Sequence, residues 1–93
     1  MVVIRCQSVI VNTLGLHLRA ANQFVRLARQ FQAEVRVSLE DKVANGKSIL
    51  DLTTLAAGWG TRLELEANGP DAEAALAALV GLIEARFHEE EPL

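Results

Sequence analysis

Gly15-Leu16-His17-Leu18-Arg19-Ala20-Ala21 is where the character of the chain changes. Before it, Val2 to Val9 is rich in β-branched residues, with Ile4 and Cys6 alternating with Arg5 and Gln7, the period of a half-buried strand. After it, Phe24, Leu27, Ala28 and Phe31 recur at i, i+3, i+4 and i+7, which predicts an amphipathic helix over residues 18–32. Asn12-Thr13-Leu14-Gly15 is the loop between the two. His17 therefore opens a helix. The first N–H groups of a helix lack intrahelical acceptors, and the helix dipole adds partial positive charge there. No Ser, Thr, Asp or Asn immediately precedes the periodic run to cap it. An uncapped helix N-terminus, an imidazole at its mouth and Arg19 in the first turn form a candidate anion site.

Outward from that junction the pattern continues. Val35, Val37 and Leu39 alternate with Glu34, Arg36 and Ser38, predicting a second half-buried strand. Glu40-Asp41 reads as a tight turn into a short strand at Lys42 to Ala44, broken by Asn45-Gly46. Ser48, with Asp51 three residues on, reads as a variant capping box opening a short helix over 48–56, with Leu52, Leu55 and Ala56 facing inward. Gly58-Trp59-Gly60 is a turn, and Leu63, Leu65 and Ala67 alternate with Arg62, Glu64 and Glu66 in the last strand. Pro70 is placed at the first position of a third helix over 71–87, whose stripe is Leu76, Leu79, Val80, Ile83 and Phe87. The order is β-α-β-β-α-β-α. Alternating strands have one wet face, and each helix has one apolar stripe. The economical packing is an α+β open-faced sandwich, a single four-stranded antiparallel sheet covered on one face by three helices.

The 93 residues suffice for one domain with a modest core. We place that domain at residues 1–88, followed by a short, frayed acidic tail at 89–93, with His88 as a surface residue. A hydrophobic fraction of 51% with 23% charged residues is ordinary for a globule, and the apolar runs are too short to span a bilayer. Residues 1–15 lack a basic start followed by a sustained apolar core, so no signal peptide is expected. The single Cys6 cannot form an internal disulfide, which fits a cytoplasmic location, and its strand position makes it packing rather than a reactive thiol. A net charge of −3 argues against nucleic-acid binding. The distribution is uneven: residues 14–33 carry Arg19, Arg26 and Arg29 and no acid, whereas 84–93 carry Glu84, Glu89, Glu90 and Glu91 against Arg86. The first helix is thus a basic patch on an acidic protein, either a solvated face or a docking face for acidic partners. There is no Gly-rich phosphate loop, no paired Cys and no His spacing for a metal, so no metal or cofactor is expected.

The string from Gly15 to Ala21 resembles the active-site motif of the phosphocarrier protein HPr family, which reads Gly, aliphatic, His, small residue, Arg, Pro or Ala, small residue. Leu18 is bulkier than the usual residue, and Ala20 stands where Pro is commoner. The order of elements also matches that family, and the resemblance covers nearly the whole chain. It implies a sheet ordered 1-4-2-3. It also implies that His17 carries a phosphoryl group on Nδ1, the pros nitrogen, with Arg19 stabilising the phosphate. The group would come from the phosphoenolpyruvate-dependent first enzyme of a phosphotransferase system and pass to sugar-permease or regulatory subunits. The protein would then be a carrier and not an enzyme. Lys47-Ser48-Ile49-Leu50 is similar to the family's regulatory serine region, which implies Ser48 as a phosphorylation site for a serine kinase, although Asp51 stands one turn away and would repel a phosphoserine. Arg26 and Arg29, three residues apart on the first helix, point outward or flank its apolar stripe, and the resemblance implies that Leu18, Asn22, Lys47, Ser48, Ile49 and Leu52 lie in or beside the same docking patch. The alternative is an HPr-fold regulatory module, in nitrogen-branch or carbon-regulation signalling, that docks to partners without needing the His phosphate. A small enzyme using His17 as acid or base is disfavoured, because the sequence places no orienting carboxylate near His17.

Overall fold

Seven regular elements form in the computed structural model, which describes residues 3–89. They are β1 (Val3–Val9), α1 (Leu18–Ala28), β2 (Glu34–Leu39), β3 (Lys42–Asn45), α2 (Ile49–Thr54), β4 (Arg62–Asn68) and α3 (Ala72–Glu84), with a 3-10 turn at Arg86–His88 after α3. The expected start of β1 at Val2 lies outside the described residues. The four strands make one antiparallel sheet in the order β1-β4-β2-β3, the order the family resemblance implied. Alternation in the strands sets the layers. Val35, Val37, Leu63, Leu65 and Ala67 point into the core, while Arg62 and Glu64 stay exposed on the open face. There Arg5 and Glu66, directly opposed across β1 and β4, make a 2.9 Å ion pair.

The helix predicted over 18–32 stops at Ala28, and its buried stripe is Ala20, Ala21, Phe24, Val25 and Ala28. Leu27 and Phe31 are only half-buried, so the stripe is rotated from the one the spacing predicted. The cause of the early stop is tertiary. A continued helix would send the Gln32 and Ala33 N–H groups to the carbonyls four residues back. They donate instead to the carboxylate of Asp71, both at 2.8 Å. The last turn tightens, with Gln30 and Phe31 N–H bonding to Leu27 and Ala28 carbonyls. Lys47 Nζ then caps the Phe31 carbonyl at 2.7 Å. With its side chain so engaged, Asp71 becomes the N-cap residue of α3 and Pro70 sits outside the helix, not at its first position.

The second helix spans 49–54 rather than 48–56. Ser48 is its N-cap, its Oγ accepting from the Asp51 N–H at 3.2 Å. Only half of the predicted capping box forms, because the Asp51 carboxylate accepts from the Asn45 N–H and not from Ser48. Ala56, expected inside, is exposed with φ +55, terminating the helix in the left-handed conformation. The third helix ends at Glu84 rather than at residue 87. Arg86, Phe87 and His88 then have φ of +59°, +53° and +57°, three non-glycine residues in the left-handed region. Such a conformation costs roughly 1–2 kcal/mol per residue. Phe87 is buried through this turn, not as the next position of a helical stripe.

Asp71 offers a test of this arrangement. The Gln32 N–H, and after it the Ala33 N–H, hold its carboxyl below the usual carboxylate range. A depressed folded-state value means that the stabilisation is complete above the unfolded-state value and is lost as pH falls through the folded one. Asp71→Asn should therefore lower the urea midpoint at neutral pH, and the gap from wild type should close as the pH is taken into the acid range. Ser48→Ala should cost about 0.5–2 kcal/mol through the lost cap, measured in the same unfolding experiment.

Candidate functional site

Position begins with Gly15. Its φ is +70°, and a Cβ there would lie 2.5 Å from the Ala57 carbonyl oxygen and 2.8 Å from Gly58 Cα. Only glycine allows this approach. The next residue seals the contact: Leu16 is buried, and its N–H donates to the Ala57 carbonyl at 2.8 Å. The loop after α2 thus clamps the chain just before the helix. His17 follows as the N-cap of α1 with extended backbone, φ −75° and ψ −178°. Its carbonyl accepts the Ala21 N–H at 2.8 Å, while no side chain caps the N–H groups of the first turn. The uncapped N-terminus anticipated from sequence is therefore present, with an imidazole at its mouth.

The ring is 29% exposed. It forms part of a wide, open depression whose other walls include Leu14, Leu18, Asn22, Ile49 and Glu89. Arg19 borders it, exposed and without an ion pair among the described residues. Leu14 and Leu18 are 68% and 67% exposed, an apolar rim around a polar centre.

Glu89 is the residue that the sequence reading missed. Its side chain is 11% exposed, and its Oε2 lies 3.0 Å from His17 Nε2. The same oxygen accepts from Asn12 Nδ2 at 3.2 Å, and Oε1 lies 3.5 Å from the Leu14 N–H. Asn12 is fully buried and also donates to the Gly15 carbonyl at 2.8 Å, tying the carboxylate to the loop that positions His17. The expectation of a frayed tail at 89–93 thus fails at its first residue, where Glu89 is docked, while His88 is the surface residue expected, an exposed member of the left-handed turn. Residues 90–93 lie outside the described residues. The expectation that no carboxylate orients His17 is also overturned, and the basic patch now contains an acid brought from 72 residues away.

The other residues assigned to the patch separate into groups. Asn22, Arg26 and Arg29 are exposed, and Ile49 is half-buried, packed on the core with one side to solvent. Arg29 Nη2 is 3.4 Å from the Lys47 carbonyl, and the Lys47 ammonium is engaged on Phe31, so these two cations also join the end of α1 to the start of α2. Leu52 is fully buried beneath this surface, the inward position that helical spacing required. Ser48 is half-buried at the α2 N-terminus. Burial raises the Cys6 thiol above its ordinary value, in keeping with a packing role. Among the described residues no cluster of His, Cys, Asp and Glu is arranged to hold a metal, and no helix is long and apolar enough to cross a membrane.

Four likenesses bear on this geometry. Residues 4–85 match the family described as PTS HPr component phosphorylation site. A Neisseria meningitidis protein named Phosphocarrier protein HPr is 50% identical over 82 residues, covering 88% of this chain and 92% of that protein. Phosphocarrier protein NPr of Shewanella violacea is 42% identical over 83 residues, covering 89% of this chain and 91% of that one. The crystal structure of HPr-C-His from Thermoanaerobacter tengcongensis superposes with a TM-score of 0.90 at 39% identity, covering 95% of this chain and 99% of that chain. With a helix-opening histidine beside an arginine, the 1-4-2-3 sheet and identity of this depth over nearly its full length, the chain belongs to the HPr family of phosphocarrier proteins.

Proposed function

We propose that His17 is the phosphoacceptor of this carrier and that Nδ1 is the nitrogen used. As a member of the HPr family the protein is a phosphoryl carrier, not a catalyst in its own right, and it serves a relay from the phosphoenolpyruvate-dependent first enzyme to sugar-specific components. The observation that carries the assignment of His17 is its place as the N-cap of a helix whose first-turn N–H groups no side chain caps. Phosphoryl transfer asks a protein mainly to position groups and to neutralise oxygen charge. The ring lone pair forms a bond to phosphorus as the donor's own bond to phosphorus breaks, the electron pair staying with the donor. The three phosphoryl oxygens would then meet the positive end of the helix and the exposed guanidinium of Arg19.

A shallow, part-exposed setting suits this work. A carrier must receive the group and release it, so a deep pocket that held the phosphate tightly would stop the relay. The apolar rim of Leu14 and Leu18, with Ile49, supplies contact area, and Arg26 and Arg29 supply charge that speeds encounter with acidic partners more than it tightens the complex. Ser48, at the border of this surface, is assigned as a possible acceptor for a serine kinase: a phosphate at the α2 N-terminus is favoured by the helix and opposed by the nearby Asp51 carboxylate. We place the protein in the cytoplasm, a reading supported by its single, partly buried cysteine.

The test is phosphorylation by phosphoenolpyruvate and the cognate first enzyme. Wild type should gain one acid-labile phosphate. His17→Ala should gain none and keep its urea midpoint, and label on that variant would remove His17 from the role. Arg19→Ala should still be labelled, at a rate lowered by roughly 10²-fold if the guanidinium neutralises oxygen charge in the transition state. Arg26→Glu combined with Arg29→Glu should slow transfer at low salt with little change in stability, and raising salt should slow wild type in the same direction through screening. Equal rates at low salt would reduce the basic helix to a solvated face.

A further inference from the structure

We propose that Glu89 is a positioning residue for phosphoryl transfer: its carboxylate holds the Nε2 proton of His17, so that Nδ1 presents an unprotonated lone pair. This rests on the assignment of His17 as acceptor and adds to it the group that selects the nitrogen. Neutral imidazole carries one proton, on either nitrogen, and only the other nitrogen is nucleophilic. An ionised carboxylate accepts hydrogen bonds and cannot donate them. With Glu89 Oε2 3.0 Å from Nε2, the proton of the neutral ring belongs on Nε2. The nucleophile is then Nδ1 by elimination. A carboxylate on the far nitrogen of a histidine fixes tautomer and ring orientation in catalytic triads and metal sites by the same logic.

The surroundings show that this contact is built. Glu89 also accepts from the fully buried Asn12, and Asn12 holds the Gly15 carbonyl at the start of the motif. The carboxylate and the ring are thus referenced to the same loop. The chain reaches this place through three consecutive left-handed, non-glycine residues, Arg86 to His88, anchored by the buried Phe87. Strain of this kind persists only where the surroundings enforce it, and it collects at functional sites. The carboxylate does not take the place of the phosphate, because it sits on Nε2 while the uncapped N–H groups of α1 remain available. During transfer Nδ1 bonds to phosphorus, the donor keeps the electron pair of the broken bond, and Nε2 retains its proton. The ring gains positive charge, which the carboxylate faces.

Two variants and two readouts test this. Long-range proton–nitrogen NMR reports which ring nitrogen of His17 carries the proton, and single-turnover kinetics with the phosphorylated first enzyme separate the rate at saturation from the concentration dependence. In wild type the neutral ring should be protonated on Nε2 alone. Glu89→Ala should introduce the Nδ1–H tautomer and lower the saturating rate about tenfold, as breaking such carboxylate–histidine pairs does elsewhere, with KM unchanged. Glu89→Gln, whose amide oxygen still accepts a hydrogen bond from Nε2–H, should restore the tautomer and part of the rate. Wild-type tautomer and rate in the Ala variant, or a change confined to KM, would overturn the proposal and leave the carrier assignment standing. If the wild type took no phosphate, the carrier assignment would fall, and the NMR comparison would still decide whether Glu89 sets the tautomer.

Discussion

The contact between Gly15 and the Ala57-Gly58 backbone is the constraint on which the site depends. It joins two loops that are far apart in sequence and lie at the same edge of the helical layer. The Leu16 N–H bond to Ala57 completes the joint, and His17 emerges from it as the N-cap of α1. A side chain at Gly15 would push the loops apart and move the imidazole relative to both the helix N-terminus and Glu89. Burial elsewhere keeps the helices on the sheet, but this joint sets the register of the chemistry.

The opposite end of α1 is governed by a comparable device. Asp71, at the entrance to α3, takes the two N–H groups that would have extended the helix, while Lys47, at the entrance to α2, takes the Phe31 carbonyl. All three helices are therefore tied through the residues that start or end them. The basic cluster is part of this frame: Arg29 and Lys47 bridge α1 and α2, whereas Arg19 and Arg26 are exposed. A surface that meets several proteins in turn benefits from a backbone that does not rearrange at each encounter, since its affinity can then stay modest and its exchange fast.

The site combines openness with order. The ring is part-exposed at a helix N-terminus without a side-chain cap, and its Nε2 lies against a carboxylate that is itself held by a buried asparagine. With His17 as the proposed acceptor, such an arrangement would present a nucleophile without enclosing its product, in keeping with a family of proteins that carry a group between others.

Local pattern was enough for much of this. The alternation of Val35, Val37, Leu63 and Leu65 determined which face of the sheet is buried, and the helical spacing around Phe24 and Leu79 determined where helices lie, because strand and helix periods are properties of a few neighbouring residues. His17 at a helix start and Ser48 as a cap were legible for the same reason. Strand order came from family resemblance, since pairing partners leave no mark in local periodicity. Helix ends were decided by tertiary structure: Asp71 truncates α1 across 38 residues, and Ala56 ends α2 in a conformation that composition does not announce. Leu52 showed the limit from the other side, its helical phase placing it inside and the resemblance placing it in or beside the docking patch, with burial deciding for the core. Glu89 lay beyond any local rule. In sequence it is one acid in a run of acids, and only the left-handed turn at Arg86 to His88, forced by the burial of Phe87, brings its carboxylate to the histidine.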